Sequence, residues 1–125
     1  MFSVRRRFFA HVLVFAATFS LLAASASAHA VLLESNPSLN AVLSGPDVPI
    51  KLRFNVRIDA GRSRLTLLHP DGTTIPLELA KDSPADTLSA RADGLVPGAY
   101  RLRWQALASD GHITRGEIPF TVARS

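Results

Sequence analysis

Four histidines and no cysteine are the residues of this chain with the most chemistry to offer: His11, His29, His69 and His112. His112 closes the run Ser109-Asp110-Gly111-His112. A carboxylate and an imidazole two positions apart leave the same face of an extended chain, and Gly111 between them adds no bulk. His29 follows the small residues Ala26-Ser27-Ala28. A cut after Ala28 would give one residue both a free amine and an imidazole, able to chelate a metal together. His29, His112 and Asp110 then form a nitrogen-rich, hard-to-borderline donor set suited to tetragonal Cu(II), and Zn(II) fits the same donors. Plainer readings stand beside this one: Asp110-Gly111 as a simple turn, His112 as an exposed loop residue, and His29 as merely the first residue after a leader. His69, in Leu68-His69-Pro70-Asp71-Gly72, reads as a surface turn residue.

The reading of His29 depends on the leader. Residues 1–28 carry a basic start (Arg5, Arg6, Arg7), an apolar stretch from Phe8 to about Ala24 and a small-residue end, the pattern of a cleaved secretory signal peptide. A transmembrane anchor would need about 20 strongly apolar residues, and this run is interrupted by His11, Thr18 and Ser20. Ala24-Ser25-Ala26 and Ala28-His29-Ala30 offer competing small-x-small frames. Arg5-Arg6-Arg7-Phe8-Phe9 leaves a twin-arginine route open beside the general secretory one.

Residues 29–125 must supply the elements that position these groups, and they suffice for one small domain. Apolar residues alternate at period two in short runs bounded by Pro, Gly, Asp or Asn, without a sustained 3.6 period. Ile50, Leu52, Phe54 and Val56 share one face, opposed by Lys51, Arg53, Asn55 and Arg57. Tyr100, Leu102 and Trp104 repeat the pattern against Arg101, Arg103 and Gln105, and Ile118, Phe120 and Val122 form a further apolar face. Leu65 with Leu67, Ile75 with Leu77 and Leu79, and Leu88 with Ala90 supply shorter ones. Turns are expected at Ser44-Gly45-Pro46, His69 to Gly72, Asp93-Gly94, Pro97-Gly98 and Asp110-Gly111. The pattern predicts an all-β, immunoglobulin-like Greek-key β-sandwich of about seven strands, with a small closed barrel as the alternative. Tyr100, Trp104 and Phe54 fall in core phase. Arg53, Arg57, Arg62, Arg64, Arg101 and Arg103 fall in wet phase.

Composition narrows the function further. A chain 47 % hydrophobic and 19 % charged excludes disorder, and without cysteine it must be held by its core alone. Three of the 14 basic residues lie in the leader, which leaves 11 against 10 acidic residues and no case for nucleic acid. There is no Ser-His-Asp set at plausible spacing, no phosphate loop and no thiol for nucleophilic work.

Gly98-Ala99-Tyr100-Arg101-Leu102-Arg103-Trp104, then Ser109-Asp110-Gly111-His112, Gly116 and Phe120-Thr121-Val122, resembles the C-terminal signature of the CopC family of periplasmic copper-binding and copper-resistance proteins. His29-Ala30-Val31-Leu32 with Ser35 and Pro37 is similar to that family's mature N-terminus, and Leu52 to Phe54 lies between. The resemblance implies a sandwich holding one Cu(II) per monomer through the amine and imidazole of His29, the imidazole of His112 and a carboxylate oxygen of Asp110. It implies a non-enzymatic role in copper homeostasis, resistance or delivery in the periplasm, and a separate CopD-like inner-membrane partner. After processing, the chain is expected not to span the membrane. Two departures stand out. The methionine-rich Cu(I) loop of some relatives has no counterpart, since the sole Met is Met1, and the Glu that some carry after the third-strand Phe is missing from Phe54-Asn55-Val56-Arg57. The competing functions are a metal-free immunoglobulin-like interaction module and a small copper-dependent oxidative enzyme. The enzyme reading lacks the exposed aromatics of a flat substrate surface.

Overall fold

The computed structural model describes residues 29–124, so the predicted leader, residues 1–28, lies outside the described residues. Eight strands follow one another: β1 (Leu32–Asn36), β2 (Ala41–Ser44), β3 (Val48–Phe54), β4 (Arg64–Leu68), β5 (Thr74–Leu77), β6 (Thr87–Ala92), β7 (Gly98–Leu107) and β8 (Ile113–Ala123). A single 3₁₀ turn, Ala60–Arg62, joins β3 to β4. The strands form two sheets, β1-β3-β6 and β2-β8-β7-β4-β5, and the chain changes sheet at most of its connections. The architecture is an all-β, immunoglobulin-like sandwich. The strand beyond the expected seven or so is β2, four residues too short to show a period, which pairs parallel to β8.

Period two fills the space between the sheets. Ile50, Leu52 and Phe54 of β3 and Leu88 and Ala90 of β6 face Leu65 and Leu67 of β4, Tyr100, Leu102 and Trp104 of β7 and Ile118, Phe120 and Val122 of β8, all buried. Each large apolar side chain so covered contributes on the order of 1.5–3 kcal/mol. The rings interlock: Tyr100 stacks on Phe120 at 5.4 Å, and Phe54 meets Trp104 edge-on at 5.3 Å. Tyr100 Oη donates to the Val96 carbonyl at 2.6 Å and pins the chain where it enters β7. Burial raises the Tyr100 hydroxyl above the usual phenol range.

Two details of the apolar runs differ from expectation. Val56 lies beyond the end of β3 at Phe54, though it still packs against the core. Ile75 was expected on a buried face but is 47 % exposed. It pairs with buried Leu67, yet β5 is the outer strand of the five-stranded sheet, and the three-stranded sheet is too narrow to cover it.

Candidate metal site

The longest antiparallel pair, β7 with β8, runs in register from Gly98↔Val122 to Leu107↔Ile113. The loop that closes it carries the Asp-Gly-His run. Gly111 takes φ +93°, a left-handed conformation that L side chains resist, and its N–H donates to the Ala108 carbonyl at 2.9 Å. The Ala108 N–H in turn donates to the His112 carbonyl at 2.9 Å.

Within this turn Asp110 holds His112 twice. Oδ1 accepts the His112 backbone N–H at 3.1 Å, and Oδ2 lies 3.2 Å from Nδ1 of the ring. Those contacts, the backbone hydrogen bond foremost, hold the Asp110 carboxyl below the usual carboxylate range. The ring is turned with Nδ1 toward Asp110, which leaves Nε2 on its far side. Both side chains remain open to solvent, His112 at 46 % and Asp110 at 41 %. The adjacency of Asp110 and His112 was expected from extended-chain alternation. It arises instead from a turn in which the carboxylate caps the backbone two residues on.

His29 reaches the same place from the other end of the chain. Its ring meets the His112 ring edge-on, with centroids 5.2 Å apart and planes at 81°. Two neighbours hold it there. Ala30 is buried, and the Val31 N–H donates to Asn55 Oδ1 at 2.7 Å while the Asn55 N–H donates to the Val31 carbonyl at 3.1 Å. The structure therefore brings all three predicted residues to one end of the sandwich.

Sequence reasoning missed the groups that brace this end. Asn55 was read only as the wet phase of a strand. Ser63 was not singled out at all, yet it is buried, its hydroxyl donating to the Asp59 carbonyl at 2.7 Å and accepting the Leu107 N–H at 3.0 Å. The Asp59 N–H donates to Leu107, the Ser109 N–H donates to Arg57, and Ile58 bridges Ala108, so segment 57–63 clamps the foot of the Asp-Gly-His turn. The available signal was a small polar residue among apolar ones at Ser63, which period two alone cannot interpret.

Among the described residues, no three His, Cys, Asp or Glu side chains form a metal cage by themselves. The His29–His112 pair becomes a fuller donor set only with the nitrogen of His29, a peptide amide in the uncut chain and a primary amine once Ala28 is removed. Two imidazoles, that amine and a nearby carboxylate fit Cu(II) chemically.

His69 lies elsewhere. It opens the β4–β5 turn, beside Leu68, which pairs with Arg101 near the start of β7. At ~3.3 Å per residue, about 20 Å of β7 separates Arg101 from Leu107 beside the other turn. The His69 ring is half-buried, edge-on to Tyr100 at 5.3 Å, and so is more than a surface turn residue.

A two-sheet sandwich with an imidazole pair at the end of its longest hairpin is thus the class that fold and site define. The family model of the CopC domain matches residues 32–123. Protein YobA of Escherichia coli K12 is 31 % identical over 108 residues, covering 84 % of this chain and 87 % of that protein. Copper resistance protein C of Xanthomonas campestris pv. juglandis is 32 % identical over 111 residues, covering 82 % and 87 %. The crystal structure of CopC from Methylosinus trichosporium OB3b superposes with a TM-score of 0.69 at 27 % identity, over 76 % of this chain and 94 % of that one. The chain belongs to the CopC family, a family of copper-resistance proteins and not of enzymes. Its function is therefore copper-related. No helix among the described residues is long and apolar enough to cross a membrane.

Proposed function

We propose that the mature chain begins at His29 and holds one Cu(II) per monomer through the His29 amine and imidazole and the His112 imidazole. Asp110 supplies the carboxylate of the site and, by accepting the His112 backbone N–H, helps to set where that residue stands. The observation that carries this reading is the 5.2 Å approach of two imidazoles from opposite ends of the chain, with a carboxylate fastened to one of them. Neither ring has a packing reason to be there, since both are exposed. Asp110 offsets one of the two charges of Cu(II), and the solvent-open position lets the ion pass to another protein. The reading places the protein in the periplasm after removal of residues 1–28. It would hold or buffer copper there, for resistance or for delivery to a CopD-like importer in the inner membrane. The sole methionine, Met1, leaves with the leader, so a thioether Cu(I) site has no ligands.

Intact mass of the exported protein, with and without Cu(II), tests this directly. The expected species starts at His29 and gains the mass of one copper ion. A mature start at Ser27 or Val31 would overturn the terminal chelate.

A further inference from the structure

The outward positions of β4, β7 and β8 gather Arg64, Arg101, Arg103 and Arg115 onto one face of the five-stranded sheet, with Glu117 as the carboxylate among them. Of the 11 basic and 10 acidic residues beyond the leader, this face takes four and one. The register makes a lattice of them: Arg64 opposes Gln105, which opposes Arg115, while Arg103 lies between Thr66 and Glu117. Glu117 is shared by Arg103 at 3.0 Å and Arg101 at 3.6 Å. Arg115 Nε donates to neutral Gln105 at 2.9 Å. Neither Arg115 nor Arg64 has an ion pair among the described residues. A shallow depression of about 500 Å³ opens among Arg64, Arg103, Arg115 and Glu117.

Glu117 serves as the shared counter-ion of Arg101 and Arg103, whereas Arg64 and Arg115, on either side of Gln105, are left without one among the described residues. We propose that this face docks an acidic segment of a partner protein, whose carboxylates seat on Arg64 and Arg115. The planar guanidinium fork takes a carboxylate in two parallel hydrogen bonds, and strand backbones hold the forks at fixed spacing. The surface favours a protein over a lipid bilayer for two reasons. Between the arginines stand Thr66 and Gln105, and the exposed apolar side chains of this face, Ile113 and Val42, lie apart at its margins and do not form the patch that inserts below lipid headgroups. Glu117 at the centre opposes a uniformly anionic plane yet suits a partner with patterned charge. Arg115 follows His112 by three residues, so a segment seated there lies beside the Asp-Gly-His turn.

The inference rests on the charge pattern of the sheet and stands apart from the copper reading. Its test is fluorescence anisotropy of a labelled hexaglutamate peptide titrated at low salt with the chain starting at His29. Saturable binding that weakens as salt rises is expected. Arg64→Glu with Arg115→Glu should weaken it by at least about tenfold, whereas Lys51→Glu with Arg91→Glu, the same charge change on the other sheet, should leave it within about twofold. If the double reversal does not fold by circular dichroism, Arg64→Gln with Arg115→Gln gives the same readout with a loss in the same direction. The proposal is overturned by absence of peptide binding at low salt, by equal losses in the two charge-reversed pairs, or by phosphatidylglycerol vesicles capturing the chain while the peptide does not. Cu(II) titration of the same variants reads the metal site separately, so either reading can fail alone.

Discussion

Two turns of this sandwich are built from the same three residue types and serve different ends. His69-Pro70-Asp71-Gly72 joins β4 to β5, and Asp110-Gly111-His112 joins β7 to β8. Each has a glycine at positive φ, and in each a carboxylate accepts the backbone N–H two residues on. At the first turn Asp71 Oδ1 takes both the N–H and the hydroxyl of Thr73, at 3.0 and 2.7 Å, and those bonds hold its carboxyl below the usual range. His69 precedes the aspartate and packs its ring on Tyr100. At the second turn the histidine follows the aspartate and itself receives the cap, so ring and carboxylate are joined and the ring is turned toward His29. Chain order within the turn decides whether the imidazole packs on the core or stands exposed beside a second imidazole.

The sharpest way to break that comparison leaves every side chain in place. Adding one Gly ahead of His29 converts its primary amine to an amide and pushes the imidazole out of its chelate ring. Cu(II) affinity should collapse; retention of affinity and of a tetragonal spectrum would move the search to His69 and Asp71.

His112→Ala should weaken Cu(II) binding by at least the roughly 10 to 100-fold that outer-sphere losses already cause. Chemical denaturation should meanwhile show stability within about ±0.5 kcal/mol, since the ring is exposed. Unchanged affinity in the folded variant would remove His112 from the site.

Acid should separate the donors by type. Nitrogen donors of the imidazole and primary-amine types bind Cu(II) only when deprotonated, so the ion competes with protons as pH falls. The Asp110 carboxyl is held below its ordinary range by the His112 N–H, and it stays ionised through that competition. Binding followed by titration should fall steeply below about pH 6. A fall confined to pH 4 and lower would point to carboxylates as the governing ligands.

Asp110→Asn keeps an oxygen for the His112 N–H but removes the charge and the firm hold on Nδ1. A loss of about tenfold is expected, smaller than for His112→Ala because the asparagine oxygen can still approach the ion. Equality with His112→Ala would make Asp110 as necessary as the ring itself.

The smallest copper effect belongs to the first turn. His69→Ala should leave Cu(II) affinity unchanged while lowering stability by about 0.5–1.5 kcal/mol, the contribution of an aromatic pair. A change in copper binding with intact stability would reverse the roles of the two turns.

Most of the sandwich was legible from alternation. In β3, β4, β6, β7 and β8, period two tells which side chains face inward, because a strand covered on one side must be apolar on that side. The failures fall where a strand's surroundings, and not its own pattern, decide burial. Ile75 has the right phase but no opposing strand, and β2 is too short to have a phase. The candidate site was legible as residue types and as a family-like motif, whereas Asn55 and Ser63 were not, because their hydrogen-bond partners are 24 and 44 residues away.

By itself the sequence determined the class of fold, the polarity of most faces and which side chains are of a type able to hold a metal, since these follow from side-chain type and local spacing. Tertiary structure alone decided that His29 and His112, 83 positions apart in the chain, stand ring to ring. It alone separated His69 from them along β7, and it alone set Arg64 and Arg115 on one uncovered face. The physical reason is the same in each case. Strand pairing fixes register between segments that carry no mark of each other, and a side chain's neighbours across a sheet or around a turn depend on that register.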